Sequence, residues 1–140
     1  MTDDKLIEDI YIKLLDYYGP QSWWPADSPF EVMLGAILTQ NTNWNNVEKA
    51  LDNLKPYMQP QIIYAMDMDK LKVLIKPSGF YNIKAERIKN FLEWFKGYNF
   101  SLERLKQIDM YTLRRELLTI SGIGKETADS ILLYALNMPI

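Results

Sequence analysis

The sequence contains no cysteine and no histidine among its 140 residues. Without cysteine, this chain can form neither a disulfide nor a thiolate-ligated zinc site or iron–sulfur cluster. Without histidine, its acid–base chemistry is limited to carboxylates, lysine and tyrosine. The two absences exclude most metal centres and all histidine-dependent hydrolysis, so we expect no metal and no cofactor in this chain.

Long apolar segments are absent as well. No run of apolar residues reaches the length of about 18 that a membrane-spanning helix needs, and the acidic N-terminus lacks the apolar core of a signal peptide. Apolar residues make up 48% of the chain and charged residues 24%, a balance typical of a globular domain. We therefore expect a cytoplasmic, nucleoid-associated protein with no membrane partner.

The two signs of charge are distributed unevenly. Residues 1–69 carry 4 basic and 11 acidic side chains, whereas residues 70–140 carry 12 basic and 7 acidic ones, within a chain of net charge −2. A basic half in a weakly acidic chain favours a nucleic-acid face on one side. A chance imbalance between solvated helix faces would give the same totals.

Apolar residues recur with helical spacing along the whole chain and alternate nowhere for long, which predicts an all-α fold. The central helix, at 30–39, is apolar on nearly all sides and is expected to be buried, with Ser28 as its N-cap. In the helix at 82–95 we expect one face of apolar side chains in the core (Ile83, Ile88, Leu92 and Phe95). The opposite face is expected to expose basic side chains (Lys84, Arg87 and Lys89). The other helices are predicted at 6–17, 44–54, after Pro60, and at 68–75, 102–108, 112–118 and 125–137.

Between the last two predicted helices lies the hexapeptide Ile-Ser-Gly-Ile-Gly-Lys, residues 120–125. Gly122 and Gly124 allow a tight turn and a close approach of the backbone to a phosphate. The helix that begins near Lys125 points its free N–H groups and positive dipole end at that phosphate, and Lys125 adds a mobile cation. The pattern indicates a clamp that grips the DNA backbone without reading bases; an ordinary helical hairpin with glycine at a C-cap is the alternative.

The hexapeptide belongs to a longer pattern. Residues 118–132, Leu-Thr-Ile-Ser-Gly-Ile-Gly-Lys-Glu-Thr-Ala-Asp-Ser-Ile-Leu, resemble the hairpin of the endonuclease III superfamily of helix–hairpin–helix DNA glycosylases. Residues 30–42 resemble the family's central helix and glutamine loop, and residues 79–88 its next DNA-side helix. The resemblance implies that residues 28–140 form mainly the six-helix barrel domain, with the hairpin at about 112–137. It also implies that residues 1–27 belong to a second, incomplete domain.

The resemblance implies duplex DNA with a flipped, damaged base as the partner. The expected DNA contacts are Gln40, Asn41, Lys84, Gly122, Gly124, Lys125 and Thr127. Gln40 matches the family's glutamine that enters the space left by the flipped nucleotide, where an amide can hydrogen-bond to the widowed base. A helix cap is the alternative for this residue.

Bifunctional members of the family attack the sugar with a lysine two residues after the second hairpin glycine. That position is Glu126 here, and a carboxylate cannot form a Schiff base, so we expect monofunctional hydrolysis. The simplest interpretation of Glu126 is stabilisation of a helix N-terminus. The family's catalytic aspartate is expected beyond Ile140, so no residue of this chain is assigned as catalytic. We therefore expect a C-terminally truncated chain that binds duplex DNA weakly, does not release 3-methyladenine, and exposes an apolar face through which it self-associates. Whether the parent protein carries an iron–sulfur cluster stays open.

Aromatic residues flank the central helix. Trp24, Pro25 and Trp44 resemble the base pocket of the family's 3-methyladenine branch, in which aromatic rings sandwich the extruded base. A cationic alkylated purine gains about 1–2 kcal/mol over a tryptophan face when desolvated. Packing in the core is the alternative for the tryptophans. An endonuclease III-like enzyme for oxidised pyrimidines and a non-catalytic DNA-binding module are the alternative functions.

Overall fold

The computed structural model describes residues 28–137, and within that range it is helical with no β-strand. The helices are α1 Ser28–Leu38, α2 Trp44–Leu54, α3 Pro60–Ala65, α4 Met68–Ile75, α5 Tyr81–Lys96, α6 Leu102–Lys106, α7 Met110–Thr119 and α8 Lys125–Ser130. Single helical turns follow α2 (Lys55–Tyr57) and α4 (Lys76–Ser78), and a wider turn with i→i+5 geometry follows α8 (Ile131–Ala135). The predicted all-α class is confirmed.

Local capping explains why several helices begin where they do. In three of them an Asn, Ser or Asp side chain accepts a hydrogen bond from a backbone N–H three residues on, at 3.1, 3.2 and 3.0 Å (Asn43 for α2, Ser101 for α6 and Asp109 for α7). Such caps satisfy N–H groups that have no partner inside the helix. At α1, Ser28 is the first helical residue rather than the N-cap. Helix α8 is α-helical only to Ser130, because its hydrogen-bond register then widens.

Helix α1 forms the centre of the core, as its composition predicts. Five of its side chains are at most 1% exposed (Val32, Met33, Leu34, Ile37 and Leu38). The helix packs against α2, α5, α8 and the turn 131–135. Removing each such side chain from water contributes about 1.5–3 kcal/mol, so α1 fixes the positions of the elements around it.

The predicted faces of α5 are wrong at its first turn. Ile83 is 47% exposed, whereas Lys84, expected on the solvent face, is 1% exposed. The ammonium group of Lys84 donates to the carbonyl oxygens of Leu38 at 2.8 Å and Ser78 at 2.7 Å, which are the ends of α1 and of the turn 76–78. A buried cation is tolerated when it is hydrogen-bonded, and these carbonyls lack partners within their own helices. Lys84 therefore turns inward as a cap for two helix ends.

A second lysine of α5 acts in the same way. Lys89 donates to the carbonyl oxygens of Ile63 at 3.0 Å and Tyr64 at 2.7 Å, and also to that of Met66. These carbonyls lie at the C-terminal end of α3, where a cation also meets the negative end of the helix dipole. Desolvation by burial lowers the pKa of the Lys89 ammonium group. The charge pattern of α5 therefore reflects internal capping as much as solvent exposure.

Candidate nucleic-acid interface

Helices α7 and α8 are joined by a tight turn at residues 120–124, which we call the hairpin. The N–H of Ile123 donates to the carbonyl of Ile120 at 3.1 Å, and Gly122 has φ +93°. This is the arrangement of a type II turn, whose third residue needs a positive φ. Ile120 and Ile123 are buried beneath the turn, so apolar packing holds the hairpin backbone at the surface.

An ion pair ties the two helices of the hairpin together. The Arg114 Nε lies 2.7 Å from Oδ1 of Asp129, and its Nη2 donates to the other carboxylate oxygen at 3.4 Å. The Asp129 side chain is only 6% exposed. A two-point contact between a guanidinium and a buried carboxylate is directional, so it fixes the orientation of α8 relative to α7.

The outer side of the hairpin is open to solvent. Gly124, the N-cap of α8, has an extended backbone and no side chain with which to cap the helix, and both Gly124 and Lys125 are exposed. The first N–H groups of α8 therefore meet solvent beside a cation. Glu126 lies half-buried in the same turn. The arrangement suits an anion that approaches the backbone closely.

The segment after α1, residues 39–43, lies against the hairpin, and we call it the glutamine loop. The side-chain nitrogen of Gln40 donates to the carbonyl of Gly122 at 3.2 Å and to the hydroxyl of Thr127 at 2.8 Å. Asn41, the next residue, is exposed and has φ +57°. Residues more than 80 positions apart in the sequence thus form one continuous surface.

Two predicted DNA contacts lie behind this surface rather than on it. Thr127 is 6% exposed and its hydroxyl accepts the hydrogen bond from Gln40. Lys84 is buried, and its ammonium group already serves two carbonyls. Burial and the charge of Arg87 lower the pKa of Lys84 to about 8. Both residues support the surface from within, which corrects their predicted position as direct contacts.

Arg87, which the sequence placed only on a polar helix face, connects the two parts of the surface. Its Nη1 donates to Oε1 of Gln40. Its aliphatic stem crosses Gly122 so closely that a Cβ on that glycine would lie 2.2 Å from Cγ of Arg87. Position 122 therefore excludes a side chain for two reasons, the positive φ and the overlying arginine.

Comparison with known proteins agrees with this geometry. Residues 34–93 match the model of the HhH-GPD superfamily of base excision DNA repair proteins. A Methanocaldococcus jannaschii protein with the provisional name of a DNA repair glycosylase is 53% identical over 137 residues, which are 95% of this chain and 62% of the relative. The crystal structure of the H. pylori 3-methyladenine DNA glycosylase bound to 1,N6-ethenoadenine matches with a TM-score of 0.73 and 35% identity. Residues 34–93 are thus similar to the HhH-GPD superfamily, and the two relatives extend the similarity along most of the chain.

These similarities confirm the resemblance drawn from the three sequence segments. The H. pylori match covers 96% of this chain and 65% of the other, so this chain spans less than two thirds of the length of either relative. The family model covers the glutamine loop and most of α5, whereas the hairpin lies beyond residue 93. The structural match extends the similarity to nearly the whole chain.

Of the three residues predicted for an HhH-GPD base pocket, the structure describes one. Trp44 opens α2 and is half-buried. Its ring atom Cη2 lies 3.8 Å from the point where a Cβ on Gly35 would stand, so the ring packs against α1 at a position without a side chain. Trp24 and Pro25 lie outside the described residues. Trp44 is thus held against the same central helix that leads into the glutamine loop.

Sequence reasoning missed a second exposed feature near this loop. Phe80 is 60% exposed and has φ +47°, an uncommon conformation for a bulky residue. Because Lys84 bonds both Leu38 and Ser78, the start of α5 adjoins the end of α1 and hence the glutamine loop. A strained aromatic at a surface is a candidate for function. Only its position after Gly79 hinted at this in the sequence.

The described residues contain no group of three or more His, Cys, Asp or Glu side chains that could hold a metal ion. None of the helices between residues 28 and 137 is both long and apolar enough to cross a bilayer.

Proposed function

We propose that residues 28–137 bind duplex DNA through the hairpin and the glutamine loop, as part of a base-excision DNA N-glycosylase. The observation that carries the proposal is the pair of hydrogen bonds from Gln40 to Gly122 and Thr127. They join a loop suited to fill a gap in a base stack to a turn suited to hold a phosphate. Similarity to a DNA repair superfamily supports the same partner.

In this proposal the hairpin contributes affinity without sequence preference. A phosphate oxygen accepts hydrogen bonds from the first N–H groups of α8, and Lys125 neutralises part of its charge. The positive φ of Gly122 closes the tight turn that leads into the first N–H groups of α8. Contacts of this type fix the register of the protein on the duplex.

The glutamine loop and the start of α5 contact the base stack. In the free protein the Gln40 amide is engaged by Arg87, Gly122 and Thr127, so the glutamine loop as a whole, with Asn41 at its exposed position, fills the space left by a flipped damaged nucleotide. Phe80 supplies an apolar wedge, since exposed aromatic side chains insert between base steps in proteins that distort DNA. Three side chains around one opening would stabilise the flipped state.

The reaction we propose is monofunctional hydrolysis of the glycosidic bond. Glu126 stands two residues after Gly124, where a lysine would be needed for attack on the sugar, and a carboxylate cannot form a Schiff base. Two other carboxylates near the hairpin are engaged in structural contacts, Asp129 with Arg114 and Glu116 with Trp94 and Tyr98. They are therefore not assigned to catalysis.

The substrate class we propose is an alkylated purine. Trp44 offers an aromatic face at the edge of the core, and a cationic base is attracted to such a face. The H. pylori relative is named for 3-methyladenine and holds an ethenoadenine, which supports a purine pocket. An oxidised pyrimidine lacks the positive charge and would gain less from the ring.

A DNA-binding module without excision chemistry is the second candidate for residues 28–137. The engaged state of Asp129 and Glu116 favours it. Incubation of the chain with methylated DNA, followed by chromatography of released bases, tests whether residues 1–140 carry excision chemistry themselves. Release of 3-methyladenine would exclude both the module and the expectation that the catalytic aspartate lies beyond Ile140, whereas binding without release is the result that both of them predict.

The binding function itself is tested by fluorescence anisotropy with two duplexes that differ only in one tetrahydrofuran abasic-site analogue. We expect the chain to bind both duplexes in a salt-dependent way and to prefer the abasic one, because the flipping cost is already absent there. Equal affinity for the two duplexes, or none for either, would contradict the proposal.

A further inference from the structure

We propose that Arg87 is a positioning residue for Gln40 and couples the glutamine loop to the hairpin. The inference rests on the proposed function, because it concerns how Gln40 is presented to DNA. Arg87 lies on α5, Gln40 follows α1, and Gly122 lies between α7 and α8. The side chain of Arg87 contacts both Gln40 and Gly122. The three residues lie in separate segments of the sequence.

The hydrogen bonds give the Gln40 amide one consistent orientation. The guanidinium of Arg87 can only donate, so the amide oxygen must face it. The carbonyl of Gly122 can only accept, so the amide nitrogen must face the hairpin. The hydroxyl of Thr127 then accepts the second amide N–H at 2.8 Å. Both donors of the amide are used, and reversing the amide would set donors against Arg87.

The stem of Arg87 contributes the second half of the coupling. It lies over Gly122 where a Cβ would come within 2.2 Å of Cγ and 2.8 Å of Cδ. Movement of the hairpin toward or away from α5 therefore shifts the guanidinium that holds Gln40. A side chain held in place before binding loses less entropy on binding. Arg87 thus links phosphate contact at the hairpin to the placement of Gln40.

A simpler role for Arg87 is a direct phosphate contact, and the two roles predict different results. A phosphate contact adds affinity to every duplex alike and is largely retained in Arg87→Lys, because lysine keeps the charge. A positioning role depends on the guanidinium reaching Oε1 of Gln40. Loss of the positioning role therefore lowers the preference for the duplex with an abasic site over the intact duplex. Lysine has a shorter reach and no planar fork, so Arg87→Lys should restore this preference poorly.

The experiment measures the ratio of Kd values for the intact duplex and for the duplex with one tetrahydrofuran site, for the 140-residue chain and its variants. We expect Arg87→Leu and Arg87→Lys to lower the wild-type ratio about tenfold, the scale of one hydrogen bond to a charged group. We expect Gln40→Ala to lower it similarly, and Arg87→Leu to have no further effect in the Gln40→Ala background.

The outcomes separate the inference from the function on which it rests. A wild-type chain without a preference for the abasic duplex overturns the proposed function and this inference together. A wild-type preference that Arg87→Leu leaves intact, or that falls additively in the double variant, overturns only the coupling. An equal fall in affinity for both duplexes, rescued by Arg87→Lys, makes Arg87 a phosphate contact and also overturns it.

The hydrogen bond between Arg87 and Gln40 can also be tested in the folded protein without DNA. The two side-chain amide protons of Gln40 can be followed by ¹⁵N NMR in the wild-type chain and in Arg87→Lys. We expect distinct, solvent-protected signals that shift and lose protection in the variant, while the backbone amides of α1 do not change. Identical Gln40 signals in the two proteins would contradict the hydrogen-bond network.

Discussion

Lys84 and Lys125 lie on opposite sides of one surface and use the same ammonium group for different purposes. Lys84 is 1% exposed and donates to two carbonyls that end helical segments, whereas Lys125 is exposed beside Gly124 at the start of α8. One cation is satisfied by the protein's own negative helix ends. The other stands beside N–H groups that need an external acceptor. The comparison shows that helix ends, and not the residue type, decide which lysine ammonium group is exposed to an external ligand.

The largest expected effect is a loss of stability when the buried Lys84 is replaced. Lys84→Met should lower the free energy of unfolding by about 3–4 kcal/mol, because two buried carbonyls lose their partner. Urea denaturation followed by circular dichroism measures the change. Lys49→Met, at an exposed position on α2, is the matched control and should change stability by less than about 0.5 kcal/mol. Similar values for the two variants would break the comparison.

The pH dependence of stability is a second test of the buried Lys84. Burial lowers the pKa of Lys84 from 10.5 to about 8. Between these values the unfolded chain binds more protons than the folded one, so the free energy of unfolding should rise as the pH increases from 8 to 10.5. The gain is about 2–3 kcal/mol relative to Lys84→Met. The variant retains Tyr98, whose hydrogen bond to Glu116 raises its pKa to about 12, so the difference between the two curves isolates Lys84. A constant difference across this range would contradict the burial of a titrating amine.

The hairpin side is tested by two glycines that share a positive φ. Gly122→Ala should cost about 2 kcal/mol of stability, because the strain of the left-handed backbone adds to a clash with Arg87. Gly79→Ala is the control, since its φ is +72° and nothing lies within 4 Å of the new Cβ. It should cost about 1 kcal/mol, from backbone strain without a clash. Thermal unfolding gives the two values, and equal losses of stability for both variants would remove the role of Arg87 at Gly122.

The smallest expected effect is at the external lysine. Lys125→Ala should leave stability unchanged and weaken binding to every duplex about fivefold, with the slope of log Kd against log salt reduced by about 1. Lys70→Ala is the control. The Lys70 ammonium group lies over the ring of Tyr57, which follows the C-terminal end of α2, whereas the glutamine loop precedes the N-terminal end of that helix. An unchanged salt slope in Lys125→Ala, or an equal change in Lys70→Ala, would remove Lys125 from the interface.

Periodicity and turn chemistry predicted most of the fold. The bounds of α2 and α4 agree with the predicted 44–54 and 68–75, because capping residues and prolines mark helix ends locally. The hairpin was equally readable, since Gly122 and Gly124 interrupt two amphipathic helices. The burial of the Lys84 side chain could not be predicted from the sequence, because the carbonyl groups that it binds, those of Leu38 and Ser78, belong to other elements. Amphipathic patterns assign a lysine to solvent unless its partners are known.

The candidate site divides in the same way. Short motifs singled out Gln40 and Lys125, whose roles in binding remain predictions, whereas the contacts of Arg87 with Gln40 and Gly122 depend on how three distant segments pack. The division at residue 27, the pocket residues Trp24 and Pro25 and self-association remain predictions, because they involve residues or partners outside 28–137.

The central claim is that the hairpin and the glutamine loop form one DNA-binding surface. The most direct test is a titration of the ¹⁵N-labelled chain with an unmodified duplex, followed by backbone amide shifts. We predict that the largest shifts fall on Asn41 and on residues 121–125, with none at α4, whose Val73 is exposed but lies on a different element. Shifts centred on α3 and α4, or none at the hairpin, would contradict the account.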